Sequence, residues 1–299
     1  MFARNVSHGV WIGLTALLAL SAHPTPLEAQ ERIRVGELQA GFTVLYANEG
    51  SGNTIVFRGE DGTFLVDTMA DSVSSDLARA LDGLGVDDVR YVANTHWHQN
   101  HLGGNDRFSD SAVILGSEAL RTRLQSEQRL EFLVDQTFPA LPEAFWPTVT
   151  FDDAVSVHFN GEAIEILHLP GHTDSDAVVV WPRSAVAATG DLWTPGGWIA
   201  PDIDTGGSLV RVEAVLRELA ARLPPEVKIV PGHGRPGTLE ELRDYVEGLR
   251  LTNEYVRVAT DAGRDLSQII DEVPGEVADR LGPSTARLLE ASYGSSSSR

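Results

Sequence analysis

The most informative segment of the chain is Thr95-His96-Trp97-His98-Gln99-Asn100-His101-Leu102-Gly103-Gly104-Asn105. It places three histidines directly after Val89–Ala93, an apolar run typical of a buried strand. Further along the chain come Pro170-Gly171-His172-Thr173-Asp174, Thr189-Gly190-Asp191 and Pro231-Gly232-His233-Gly234. Five of the nine histidines lie in these four segments. This concentration predicts a metal site rather than scattered core histidines.

The donor set narrows the choice of metal. The chain contains no cysteine, which excludes thiolate ligands and leaves imidazole and carboxylate groups. These ligands suit zinc, iron or manganese. His96 and His98, two positions apart in a loop, can reach one ion together. Three histidine ligands on one zinc ion leave a coordination position open for water, as catalytic zinc requires.

The order and spacing of these residues resemble the signature of the metallo-β-lactamase superfamily, His-x-His-x-Asp-His followed by a lone His, a lone Asp and a lone His. The resemblance is to its glyoxalase II and general metallo-hydrolase branch, because Asp191 stands where other branches carry cysteine or a small residue. It implies an α/β fold, a four-layer αββα sandwich of two mixed sheets with outer helices. It covers roughly residues 40 to 250, and a C-terminal helical extension follows.

The resemblance also implies how the ligands are shared between two metals. His96, His98 and His172 would hold the first metal, and Asp191 would bridge both. His101 and His233 would serve the second metal together with the signature aspartate, which is Asn100 here. Position 100 and Asp191 are therefore the candidate catalytic positions.

Asn100 changes the expected chemistry. A neutral amide oxygen is a weaker ligand than a carboxylate and cannot accept a proton from an attacking water. We therefore expect a weakened second metal site, with one or two zinc ions per chain. Three explanations stay open: a natural one-metal enzyme, a naturally weak or inactive relative, or an introduced substitution.

The function implied by the resemblance is zinc-dependent hydrolysis of an ester, thioester, lactone or lactam by metal-bound hydroxide. One alternative is a catalytically impaired, metal-binding relative. The other is a mononuclear iron enzyme similar to the persulfide dioxygenases. Iron or manganese could replace zinc in such a site.

Other side chains are candidates to support the ligands or to contact substrate. Asp67, at the end of a strand-like run, and Thr95 are predicted to orient the ligating histidines. Aromatic residues and one arginine are predicted to line the mouth of the site and bind an apolar or amphipathic acyl compound: Trp97, Trp193, Trp198 and Arg235.

Charge and the N-terminus limit partners and location. The 299-residue chain has a formal net charge of −20, which disfavours nucleic acid. An apolar run over residues 10–22 after Arg4 predicts a signal peptide, residues 1–29, and a periplasmic or secreted protein with no stable membrane span after processing. The oligomeric state stays open.

The remaining pattern predicts two halves, each mostly strands followed by helix. Residues 30–250 form the predicted metallo-β-lactamase-like domain and residues 251–299 the helical extension, with a disordered Ser-rich tail at 295–298. A long helix is predicted over residues 117–134, which are rich in Glu, Arg and Leu.

Overall fold

The computed structural model describes residues 32–48 and 50–297, so the signal peptide predicted over residues 1–29 lies outside the described residues. The strands of the first half are β1 (Ile33–Gln39), β2 (Phe42–Ala47), β3 (Thr54–Gly59), β4 (Gly62–Val66), β5 (Val89–Ala93), β6 (Val113–Ser117), β7 (Gln128–Leu130), β8 (Gln136–Phe138) and β9 (Val149–Phe151). Those of the second half are β10 (Ala154–Phe159), β11 (Glu162–His168), β12 (Ala177–Trp181), β13 (Val186–Gly190) and β14 (Lys228–Pro231). The helices are α1 (Ser74–Gly83), α2 (Gln99–Leu102), α3 (Glu118–Leu124), α4 (Leu209–Arg222), α5 (Leu239–Asp261), α6 (Leu266–Asp271), α7 (Gly275–Leu281) and α8 (Thr285–Ser297).

The strands form two large mixed sheets and a small hairpin. The first sheet has the order β1-β2-β3-β4-β5-β6-β9, and the second has the order β10-β11-β12-β13-β14. In the first sheet, β4, β5, β6 and β9 are parallel neighbours. In the second sheet only β13 and β14 are parallel. Strands β7 and β8 pair by themselves.

The two sheets pack face to face and helices cover both outer faces. Because side chains alternate across a strand, Val179 and Trp181 of β12 face the other sheet, while Val178 and Val180 pack under helices. Helix α1 covers the first sheet with Leu77 and Leu81. Helices α4, α5, α7 and α8 cover the second sheet. The predicted four-layer αββα sandwich is confirmed.

The long helix predicted over residues 117–134 is wrong. Helix α3 ends at Leu124, whose carbonyl accepts from the amide of Leu141 at 2.9 Å. The Gln128 side chain then donates to the carbonyls of Arg123 and Ser126, at 2.9 and 3.2 Å, and turns the chain back. Strands β7 and β8 follow and bury Leu130 against Trp97. Tertiary packing has overridden a helix-favouring composition.

The C-terminal region is helical, as predicted. Helix α5 spans the predicted domain boundary between residues 250 and 251. Helix α8 runs to Ser297, so residues 295–297 are helical rather than a disordered tail, and Ser298 lies outside the described residues. Among residues 32–48 and 50–297, none of the helices combines the length and apolar character that crossing a bilayer requires.

Candidate metal centre

The candidate ligands follow the carboxyl ends of strands that meet at one edge of the sandwich. His96, His98 and His101 follow β5 of the first sheet, and His101 lies on the short helix α2. Asp191 and His233 follow the parallel strands β13 and β14 of the second sheet. His172 lies in the loop between β11 and β12. Ligands separated by up to 137 positions in the sequence thus converge at the rim between the sheets.

The first ligand group consists of His96, His98, His172 and Asp191. One ligand atom of each lies within 4.8 Å of the others, and all four residues are buried. Nε2 of His96 is buried without a hydrogen-bond partner, although Nδ1 of the same ring lies 3.0 Å from the Thr95 hydroxyl. A buried ring nitrogen without a partner is costly unless an ion binds it. The group therefore fits a divalent metal with nitrogen and oxygen ligands.

The second ligand group consists of His101, Asp191 and His233. Nε2 of His101 and Nε2 of His233 lie 3.2 Å apart, and each is 3.5 Å from Oδ2 of Asp191. The same Oδ2 lies 3.9 Å from Nε2 of His96. Asp191 is therefore the one residue common to both groups, as the predicted bridging role requires.

Asn100 lies beside the second group. Its Nδ2 atom donates to the carbonyl of Gly50 at 3.1 Å and lies 3.1 Å from Nε2 of His233. The side chain thus reaches the position where the family signature has a carboxylate. It brings an amide there and no negative charge, so the second group has one carboxylate, Asp191.

Asp67 and Thr95 lie where the sequence predicted supporting residues. Oδ2 of Asp67 is 3.0 Å from Nδ1 of His101 and accepts the Thr95 hydroxyl at 2.7 Å, while Oδ1 accepts the Thr95 amide at 2.8 Å. Asp67 itself has a φ of 59°, in the left-handed region. Carboxylates that hold the outer nitrogen of a histidine fix its orientation toward a metal.

Asp202 is a supporting residue that the sequence did not reveal. Its Oδ2 atom lies 3.1 Å from Nε2 of His98, and the side chain is fully buried. Asp202 lies eleven positions after Asp191 in an irregular segment, with neither a motif nor a hydrophobic period to mark it. Only the folded structure brings it to His98.

In the metal-free site, burial and neighbouring charges shift the pKa values of the candidate ligands in different directions. Burial lowers the pKa of His96 well below its ordinary value and lowers the pKa of His172 to about 4. Burial also lowers the pKa of His101, but Asp191 and Asp67 outweigh it and raise this pKa to about 10. Although burial raises the pKa of Asp191, His101 holds it well below its ordinary value. Neutral histidines and an ionised aspartate are the states that bind metal, so His101 must lose its proton when a metal ion binds.

The loop that carries His172 is held by aspartate side chains. The buried Asp176 carboxylate accepts the amides of Gly171 and Thr173 at 2.9 and 2.8 Å, and the Thr173 hydroxyl at 2.8 Å. Burial raises the pKa of Asp176 to about 7, against the lowering effect of these hydrogen bonds. Asp174 forms an ion pair with Arg123 at 2.6 Å. Neither aspartate belongs to a ligand group.

Two glycines allow close approach to the ligands. A Cβ atom on Gly232 would lie 2.1 Å from Oδ1 of Asp191, and one on Gly52 would lie 2.6 Å from Nδ1 of His101. The Gly232 amide instead donates to the carbonyl of Gly190 at 2.8 Å, which links the ends of β13 and β14. These contacts explain the Pro-Gly-His segment: the backbone must approach closer than any side chain permits.

The prediction that Trp97 lines the mouth of the site is wrong. Trp97 is 1% exposed and packs with Leu102, Leu120 and Leu124 in a small apolar cluster. Its ring centroid lies 4.7 Å from that of His98, edge to face. The Trp97 indole therefore packs in the core beside His98 and does not line the opening of the site.

Trp193, Trp198 and Arg235 border a cavity of about 480 Å³ next to the site. Trp193 is fully buried in the core cluster under helices α4 and α5, so its prediction as a residue at the mouth of the site is wrong, as for Trp97. Trp198 stacks on Tyr245 with ring centroids 4.5 Å apart. The Arg235 guanidinium is paired with Glu241, so it is not a free anchor for a substrate carboxylate. The Thr194 hydroxyl, also on the cavity, donates to the carbonyl of His233 at 3.1 Å. The cavity therefore adjoins the second ligand group.

The sequence profile described as "Metallo-beta-lactamase superfamily" matches residues 47–233, more than half of the chain. Metallo-beta-lactamase domain-containing protein 1 of Xenopus laevis is 28% identical over 180 residues, which cover 58% of this chain and 67% of that protein. A hydroxyacylglutathione hydrolase of Synechococcus sp. is 29% identical over 133 residues, 44% of this chain and 43% of that protein. The chain thus matches less than half of the length of this second relative.

Solved structures share the fold at low sequence identity. A metallo-beta-lactamase from Pontibacter korlensis has a TM-score of 0.59 and 19% identity, over 73% of this chain and 99% of that chain. A stereoselective inverting sec-alkylsulfatase from Pseudomonas sp. has a TM-score of 0.69 and 16% identity, over 87% of this chain and 50% of that chain. These structures share the fold, and the profile match shows a family of metal-dependent hydrolases. The chain belongs to the metallo-β-lactamase superfamily.

Proposed function

We propose that the protein is a zinc-dependent hydrolase that cleaves an ester, thioester, lactone or lactam, with a complete first metal site and a weakened second one. The observation that carries the proposal is the division of the candidate ligands into two groups that share Asp191. The first group has four ligands, whereas the second has three and an amide in place of a further carboxylate.

The residues of the centre have distinct tasks in such a reaction. A bound divalent ion supplies an acidified water and polarises the substrate carbonyl. His96, His98 and His172, with Asp191, would hold the first ion, and His101 and His233 would hold the second. Asp67 keeps His101 oriented, since Nδ1 of that ring lies 3.0 Å from its carboxylate. Asn100 cannot accept a proton, so proton transfer at this position is lost.

The cavity next to the second group supports a substrate class. The adjoining cavity has an aromatic wall of Trp198 and Tyr245, and its arginines Arg235 and Arg280 are paired with Glu241 and Asp244. Paired charges leave no surplus cation for an anionic substrate, whereas aromatic walls favour apolar groups. A neutral or amphipathic small acyl compound fits this cavity.

Export is part of the same proposal. The signal peptide predicted over residues 1–29 would deliver the protein to the periplasm or the medium. N-terminal sequencing of the protein recovered from those fractions tests this, with residue 30 expected first. Recovery of the uncleaved chain in the cytoplasm would contradict it.

The first experiment measures metal content per chain in protein purified without added metal. We expect about one zinc ion in the wild type and about two in Asn100→Asp, because the carboxylate restores a charged ligand to the second group. Hydrolysis of a panel of esters, thioesters, lactones and lactams should rise in the same variant. Gln99→Glu, which adds the same charge one position away, is the matched control and should change neither quantity.

Other outcomes would overturn parts of the proposal. Two zinc ions in both proteins would show that Asn100 still binds metal and that the second site is not weakened. Iron without acyl hydrolysis would favour a mononuclear iron enzyme. One metal ion and no turnover in either protein would favour a metal-binding relative without hydrolase activity.

A further inference from the structure

Asp202 contacts two ligands of the first metal group at once. Its carboxylate lies 3.1 Å from Nε2 of His98, and its backbone amide donates to the carbonyl of His172 at 2.7 Å. The residue precedes a 3-10 turn, Ile203–Thr205, which lies outside the elements that carry the ligands. One residue therefore links the loop after β5 to the loop between β11 and β12.

The position of Asp202 is itself fixed by several bonds. The Thr205 hydroxyl donates to Oδ2, and the Thr205 amide donates to Oδ1 at 3.3 Å. The Gly207 amide donates to the Asp202 carbonyl at 2.7 Å. Nε1 of Trp97 in turn donates to the Thr205 hydroxyl at 3.2 Å. A hydroxyl can donate once and accept, so both bonds of Thr205 are compatible.

The charge of Asp202 determines which nitrogen of His98 is free. A carboxylate accepts only, so the proton of the ring resides on Nε2. The lone pair is then on Nδ1, which lies 3.3 Å from Nε2 of His172, inside the first ligand group. A histidine held in the opposite tautomer would present an N–H to a metal and could not bind it.

We propose that Asp202 is the positioning residue of the first metal site: its carboxylate fixes the tautomer and the ring orientation of His98, and its amide fixes the loop of His172. The proposal rests on the proposed function only in that the first group binds a metal. Thr205 and Trp97 act through Asp202. The buried Trp97 indole therefore helps to position a ligand, although it does not contact substrate.

The test compares first-site metal affinity among single variants of the full chain. Asp202→Ala leaves Nε2 of His98 without a partner, and we expect zinc affinity to fall about 10–100-fold. Asp202→Asn keeps an oxygen acceptor without the charge, so its affinity should lie between those of Asp202→Ala and the wild type. Zinc competition against a chromophoric chelator measures this, and the visible spectrum of the cobalt-loaded protein reports the ligand geometry.

Asp204→Asn is the matched control. Asp204 lies in the same turn but is exposed, and its carboxylate accepts the amides of Glu131 and Phe132 at 2.8 and 2.7 Å instead of contacting a ligand. Its affinity and cobalt spectrum should equal those of the wild type. Thr205→Val provides a second route, because it removes the hydroxyl that holds Asp202 without changing any charge. It should weaken zinc binding in the same direction as Asp202→Asn, by a smaller factor.

The outcomes separate this inference from the proposed function. Equal zinc affinity and an unchanged cobalt spectrum in Asp202→Ala and Thr205→Val would overturn the positioning role alone. Lower melting temperatures of the metal-free variants with unchanged affinity would show a merely structural role and would also overturn it. A wild-type protein that binds neither zinc nor cobalt would overturn both proposals.

Discussion

Asp67 orients one ligand of the second group, His101, through its buried carboxylate. It bonds both Nδ1 of His101 and the Thr95 hydroxyl, and that hydroxyl also lies 3.0 Å from Nδ1 of His96. Asp67→Asn keeps the shape but removes the charge that orients His101. We expect metal affinity to fall about 10–100-fold, measured by zinc titration of the metal-free protein. Asp110→Asn, on the exposed surface, is the control, and equal affinities in both variants would contradict this role.

The sequence identified the site residues that belong to a motif and missed or misplaced the others. The five histidines and Asp191 were predicted from their order and spacing, and the structure brings them into two groups. Asp202 was missed because its contact with His98 spans 104 positions and depends on how the chain returns after β13. The position of Trp97 was predicted wrongly because the sequence does not distinguish an aromatic residue that lines a substrate pocket from one that packs in the core. Its 1% exposure decides for the core.

At the scale of elements, helix α5 packs closely against Trp198 and Arg280 at its glycine, Gly248. A Cβ atom on Gly248 would lie 2.2 Å from Cη2 of Trp198 and 3.0 Å from Cδ of Arg280. Gly248→Ala should therefore destabilise the protein by about 1–3 kcal/mol through overpacking, although alanine favours helices. Urea unfolding followed by circular dichroism measures the change.

Gly83→Ala is the control for that substitution. Gly83 is the exposed last residue of α1, and a Cβ atom there would meet nothing within 4 Å. We expect a gain of up to about 1 kcal/mol, because the unfolded chain loses conformational freedom. Equal effects of the two substitutions would show that the contact with Trp198 does not constrain α5.

Elements with a regular hydrophobic period were predicted well, and those fixed by distant contacts were not. Strand β5, for example, spans Val89–Ala93, the same residues that the sequence predicted as a strand. The helix predicted over residues 117–134 was wrong beyond Leu124, because a helix-favouring composition competes there with burial of Leu130 beside Trp97. The tip of the β7–β8 hairpin is held from outside, since the Arg287 guanidinium of α8 lies 3.7 Å above the Phe132 ring. No local sequence signal encodes such a contact.

At the scale of the whole molecule, metal removal should lower thermal stability. An ion bound at about 100 times its dissociation constant stabilises the folded state by about 2.7 kcal/mol. For a chain of this size that corresponds to a melting temperature about 5–10 °C higher. We expect a strong chelator to lower the melting temperature by this amount, and added zinc to restore it. Calorimetry measures both changes. His172→Ala, which lacks a first-group ligand, should show a much smaller shift, and an equal shift would place the stabilising ion elsewhere.

The whole fold followed from the resemblance more fully than from periodicity. Two mixed sheets between helices were expected, and the family match over residues 47–233 supports that reading. The packing of the C-terminal helices was not predictable, because it depends on contacts such as the 2.9 Å bond from the buried Ser292 hydroxyl to Asn253 of α5. Helical sequence shows that a helix forms but does not show which partner it meets.

The assembly of the centre from both sheets has a mechanical consequence. His96, His98 and His101 follow a strand of one sheet, whereas Asp191 and His233 follow strands of the other. An ion held by both sets ties the layers together at their rim, as a covalent cross-link would. The chain has no cysteine and so cannot form a disulfide there. A coordination tie of this kind is indifferent to the thiol redox potential of its surroundings, but it opens whenever a competing chelator takes the ion.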